Sequence, residues 1–227
     1  MTYLTARWAC GRCRMCGWAD LGPSARLRVP VVPSAGARAG VRAAAQNGDP
    51  MIVLGIDPGT ASTGFGVIES AGSCLRAHTA GVIETRAGVA LERRLAEIHA
   101  RVGDLLEEYR PASVAIEELY FGANARTAFA VGQARGVVLL AAGQRGVPSR
   151  SYTPQQVKDA VCGHGRAGKE QVGRMVARLL GLPGPPAPDH AADALAVAIC
   201  DLNRAPLARA VAGAGGRRAE AVTGARA

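Results

Sequence analysis

The middle of the chain opens with short apolar, strand-like runs and then switches to apolar positions at a helical period. IVLGID and TGFGVIES read as strands separated by a Pro58-Gly59 turn, and Cys74 to Glu84 reads as a third strand, so an antiparallel meander is expected. Leu91, Leu95, Ile98, Val102, Leu105 and Leu106 recur at helical spacing as far as Tyr109, and SVAIEE follows as a buried strand, giving a strand-helix-strand crossover. Further on, the pattern predicts a helix from Asn124 to Gly143, a short strand from Ser149 to Tyr152, and helices over Pro154 to Cys162, Gly168 to Leu180 and Asp189 to Leu202. Three antiparallel strands followed by alternating helices and parallel strands predict an α/β fold, a five-stranded mixed sheet with helices on both faces.

The flanks are different. Residues 1–50 are rich in Pro, Gly, Ala and Arg without a sustained period and read as a disordered extension; order is expected from Met51, which is also a candidate start of the natural chain. Residues 205–227 read as a low-complexity, disordered basic tail. One folded domain over residues 51–204 is what 227 residues with 48% apolar content accommodate. No window approaches 18 consecutive apolar residues and the opening lacks a secretory pattern, so a cytoplasmic protein with no membrane span is expected.

The formal charge of +9 invites a nucleic-acid reading. Residues 1–50 carry +5 of it and residues 205–227 carry +3, which leaves the middle at +1. Bulk basicity therefore says little about a DNA-binding surface on the folded part. Cys10, Cys13 and Cys16 have metal-ligand spacing but lack a fourth ligand, and Cys74, Cys162 and Cys200 are scattered singly, as buried thiols of a reducing compartment would be.

The acids point to chemistry. Asp57 closes the first strand and Glu117 closes the fourth, and crossover topology can bring those strand ends side by side, at the crevice where open α/β sheets bind ligands. Two carboxylates that close call for a divalent cation, and Mg2+ is the hard ion that one or two carboxylates plus a phosphate hold. The last helix adds His190 and Asp193 on one face, with Asp189 on that face too or acting as the helix N-cap.

GIDPGTASTGFGVIE, AIEELYFGANARTAFAVGQARG, QQVKDAVCGHGRAGKEQV and PDHAADALAVAIC resemble, in order and spacing, the four blocks of the RuvC family of crossover junction endodeoxyribonucleases. The resemblance covers Met51 to Arg204 and implies an RNase H-like fold and a homodimer that resolves Holliday junctions, four-way DNA, in recombination and repair. It places the family's metal and catalytic residues on Asp57, Glu117, His190 and Asp193, with His190 standing where some members have Asp, and its basic catalytic residues on Lys158 and Lys169. These two are the only lysines in a chain with 25 arginines, as expected where a compact ammonium is required. Mg2+, with Mn2+ as a substitute, is expected as two ions per site, leaving 5′-phosphate and 3′-hydroxyl nicks. The resemblance also assigns Tyr120 and Phe121 to stacking on unpaired bases; Arg126, His164 and Arg166 are candidate phosphate contacts. A RuvA–RuvB branch-migration complex is an implied partner, and the helix from Asn124 to Gly143 is the candidate dimer face.

Two other classes remain open on the sequence. GIDPGT also resembles the first phosphate loop of actin-like ATPases and sugar kinases, although a second such domain has no room here. A non-catalytic binder of branched DNA would not need the full acidic set.

Overall fold

The computed structural model describes residues 50–118 and 125–204. Strands β1 (Met51–Asp57), β2 (Ser62–Ala71) and β3 (Cys74–Glu84) form the meander, and helix α1 (Leu91–Tyr109) leads to β4 (Ser113–Glu117). Helix α2 (Ala125–Gln144), β5 (Ser149–Tyr152), α3 (Pro154–Cys162) and α4 (Lys169–Leu180) follow, and a last helix, α5, runs over 189–204. The sheet order is β3-β2-β1-β4-β5, with β1 antiparallel to β2 and parallel to β4. This is the five-stranded mixed sheet that the periodicity predicts.

Side-chain alternation along β1 and β4 divides the core. Leu54, Ile56, Val114 and Ile116 pack against α1 and α2, through Ile98, Val102 and Leu106 and through Ala134, Val138, Ala141 and Ala142. Met51, Val53 and Ala115 face the other way, toward α3, α4 and α5. Asp57 continues the second set on β1 and Glu117 continues it on β4, so both acids end their strands on the face that α5 covers.

Glycine decides how closely α5 approaches. A Cβ at Gly55 would stand 2.0 Å from the Ala194 carbonyl oxygen, one at Gly64 2.0 Å from that of His190, and one at Gly66 2.8 Å from the Leu195 side chain. Gly55 and Gly66 are cross-strand partners, and Gly64 pairs with Asp57. The sheet thus offers a trough without side chains, into which the alanine-rich face of α5 drops.

The far end of α5 is tied by a buried polar network. Asp201, fully buried, accepts hydrogen bonds from Arg150 Nε (2.6 Å) and Nη2 (2.8 Å), from the Tyr152 hydroxyl (2.7 Å) and from the Ser113 hydroxyl (2.7 Å). Burial alone would raise the Asp201 carboxyl; the three donors overcome it and hold the group below the ordinary carboxylate range.

The expectation that all three single cysteines are buried needs correction. Cys200 is buried and Cys162 half-buried, but Cys74 is exposed, because it opens β3 directly after the surface turn at Gly72. Cys10, Cys13 and Cys16 lie outside the described residues. No helix among the described residues is long and apolar enough to cross a membrane.

Candidate metal centre

The register of β1 against β4 pairs Ile56 with Ile116, which sets Asp57 and Glu117 side by side at the carboxyl ends of two adjacent parallel strands. The trough of glycines brings the start of α5 over them. His190 Nδ1 donates to Asp57 Oδ2 at 2.7 Å, and ligating atoms of Asp57, His190 and Asp193 all lie within 4.8 Å of one another. Three of the four predicted donors therefore meet in one cluster.

Glu117 sits at its edge. Burial first, then the charges of Asp57 and Asp193, push its carboxyl up to about 7, with Lys158 pulling in the opposite direction. Burial likewise raises Asp193, against the Lys169 ammonium. Carboxylates and an imidazole crowded at a half-buried cleft fit a hard divalent cation.

Both lysines reach this cleft, whose lining includes Glu117, Lys158, Lys169 and Asp193 above an apolar floor of Val157, Val172, Ala196 and Val197. Lys158 is carried by α3, which starts in a capping box: Gln156 N donates to Thr153 Oγ1 at 3.2 Å, and Thr153 N donates to Gln156 Oε1 at 3.0 Å. Lys169 is the first residue of α4 and pairs with Asp189 Oδ2 at 3.1 Å and Asp193 Oδ2 at 3.5 Å. Asp189, first through its hydrogen bond, raises the Lys169 ammonium's affinity for its proton. Asp189 is not the helix cap: the Pro188 carbonyl accepts from Ala191 N at 2.9 Å, so Asp189 already lies in the first turn with its carboxylate free to reach Lys169.

The other predicted contacts fall outside the cluster. His164 and Arg166 are exposed on the loop between α3 and α4, where His164 meets Gln171 Nε2 at 3.1 Å. Tyr120 and Phe121, and the Arg126 side chain, lie outside the described residues.

One group of residues near the site escaped the sequence reading. The turn after Asp57 is clamped from α1 and the end of β3: Arg94 Nη2 donates to the Thr60 carbonyl at 2.7 Å, and the Thr85 hydroxyl donates to the same oxygen at 2.6 Å. Arg94 Nε in turn donates to Thr85 Oγ1 at 2.8 Å, and Thr63 Oγ1 donates to the Gly59 carbonyl at 2.6 Å. No local motif signals Arg94, which is 34 residues from Thr60. The alternating glycines at 55, 64 and 66, by contrast, were a readable sign of close backbone approach.

A mixed sheet in this order, with a carboxylate-imidazole cluster where its central parallel strands end, defines an RNase H-like domain with a candidate metal site. The family model for crossover junction endodeoxyribonuclease RuvC matches residues 53–201. RuvC of Moorella thermoacetica is 54% identical over 156 residues, covering 69% of this chain and 93% of that protein. RuvC of Rubrobacter xylanophilus is 54% identical over 149 residues, covering 66% and 83%. Among solved structures, Thermus thermophilus RuvC in complex with a Holliday junction substrate is 43% identical, with a TM-score of 0.67 over 70% of this chain and 96% of that one. The yeast mitochondrial Holliday junction resolvase Ydc2, at 16% identity and a TM-score of 0.51, shares the fold. The chain belongs to the RuvC family of crossover junction endodeoxyribonucleases. Family membership decides for the nuclease over the ATPase and the non-catalytic binder.

Proposed function

We propose how this chain, a structure-specific endonuclease that resolves Holliday junctions, uses its cleft: Asp57, Glu117, His190 and Asp193 hold two Mg2+ ions, with Mn2+ as a substitute, and Lys158 and Lys169 receive the scissile phosphate. The observation that carries this reading is the convergence of Asp57, His190 and Asp193 within 4.8 Å, beside Glu117 at the neighbouring strand end.

Bound there, a pair of divalent ions supplies activation of an in-line water and neutralisation of charge on the phosphate and leaving oxygens. Asp57, central on the sheet, would hold the ions together with Glu117 on the neighbouring strand end and with His190 and Asp193 on α5. His190, through its 2.7 Å hydrogen bond, orients the Asp57 carboxylate. The two ammonium groups act as compact point charges on nonbridging oxygens, a role that guanidinium fills less readily. Products carry 5′-phosphate and 3′-hydroxyl ends.

A two-fold symmetric junction is met by a C2 homodimer that sets one cleft against each of two opposing strands. Phe129, 71% exposed, and Leu140, 55% exposed, lie eleven residues apart on one face of α2 and support that helix as the dimer contact. Tyr120 and Phe121 are proposed to stack on bases beside the cut, and Arg126, His164 and Arg166 to meet phosphates; cytoplasmic location and engagement with a RuvA–RuvB complex belong to the same reading.

A labelled synthetic four-way junction with Mg2+ or Mn2+ tests it. Symmetric paired nicks are expected from the native chain, and Asp57→Asn should bind the junction, seen as a shifted band, without cutting. Cleavage retained by Asp57→Asn overturns the mechanism.

A further inference from the structure

Lys169 is placed awkwardly for a cation. It is the first residue of α4, where the helix dipole presents partial positive charge, and its N-cap, Gly168, has no side chain to relieve it. Its ammonium turns instead to α5, where Asp189 and Asp193 stand four apart on one face. It lies closer to Asp189 (3.1 Å) than to Asp193 (3.5 Å). The two acids differ in setting: the Asp189 side chain is 77% exposed, that of Asp193 31% exposed and within the cluster with Asp57 and His190. A lysine paired fully with Asp193 would neutralise one of the cluster's donors and repel any cation placed there. A lysine shared with Asp189 brings only part of its charge to the Asp193 carboxylate while keeping the ammonium at the rim of the cleft.

We propose that Asp189 is a positioning residue that draws the Lys169 ammonium off Asp193 and so keeps the Asp193 carboxylate open to a divalent cation. This rests on the reading of Asp193 as a metal ligand. Asp189 touches neither the reacting atoms nor the cation; it acts through Lys169, and its exposed position makes its replacement harmless to folding.

The test is Mn2+ binding to the full chain without DNA, measured by isothermal titration, for the native chain, Asp189→Asn, Lys169→Met and the double variant. Asp189→Asn is expected to bind Mn2+ about two- to five-fold more weakly, the span an exposed ion pair covers. Lys169→Met should bind more tightly than the native chain, and adding Asp189→Asn to it should change nothing further. Native affinity in Asp189→Asn overturns the proposal. An equal loss in the Lys169→Met background also overturns it, because Asp189 would then act through its own field and not through the lysine. A native chain that binds no Mn2+ sinks the metal-site reading itself, a result distinct from either of these.

Discussion

Glu117 holds its proton more tightly than its place in the sequence announces. Its carboxyl, normally near 4.5, is pushed up to about 7 by burial and by Asp57 and Asp193. Between those two values the folded, cation-free protein holds more protons than the unfolded chain, so stability is fully present below about 4.5 and is lost as pH rises through 7. The shift is worth about 3 kcal/mol at most. Glu117→Gln should therefore unfold at a higher temperature than the native chain at pH 8 in the presence of chelator, and with little difference at pH 4.5. Thermal unfolding at both values checks this, and a pH slope that survives the substitution would assign it to another group. Asp57, Glu117, His190 and Asp193 were all legible as candidate ligands because type and element-end position mark them. The charge state of Glu117 was not, since it depends on solvent exclusion by α3 and α5.

Elements were read closely where their signals are local. The predicted helix from Leu91 to Tyr109 and the predicted helix from Pro154 to Cys162 coincide with α1 and α3, the latter because Thr153, Pro154 and Gln156 write its start into the sequence. The glycines at 55, 64 and 66 signal a close backbone approach in the sequence, but not that α5 is the element that makes it. Gly64→Ala would place a methyl group against the His190 carbonyl and force α5 outward. A loss of about 1 to 3 kcal/mol or more is expected in denaturant unfolding, together with weakened Mn2+ binding, because His190 and Asp193 move with the helix. Gly143→Ala, on the exposed face of α2 with open space around its added methyl, should instead stabilise slightly, by up to about 1 kcal/mol. At the other end of α5, Arg150→Met leaves the Asp201 carboxylate buried without its cation. That variant should lose about 3 to 5 kcal/mol near neutral pH, and less in acid, where Asp201 can take up a proton. Equal losses at both pH values would place the cost in packing.

At the scale of the whole molecule, the proposed dimer contact on α2 can be tested. Phe129→Asp puts a charge on the face proposed to bind a second copy. Light scattering should then report a monomer where the native chain is expected to give a dimer, and junction cleavage should fall from paired to single nicks; an undisturbed dimer moves the interface to another face. The charge distribution also acts at this scale. Residues 51–204 are near neutrality overall, and the fold nevertheless brings both lysines, Lys158 and Lys169, to the cleft, where they are proposed to meet the junction's phosphates.

By itself the amino-acid sequence determined the order and kind of the elements and named the candidate donors, because apolar runs and a helical period are short-range signals and because acids at element ends are conspicuous. Tertiary structure alone decided which donors share a cluster, that Glu117 keeps its proton to about 7, that Arg94 and Thr85 hold the turn after Asp57, and that Lys169 divides its charge between Asp189 and Asp193. Each of those depends on groups far apart in the chain and on water being excluded between them, and neither property is carried by a residue's neighbours in sequence.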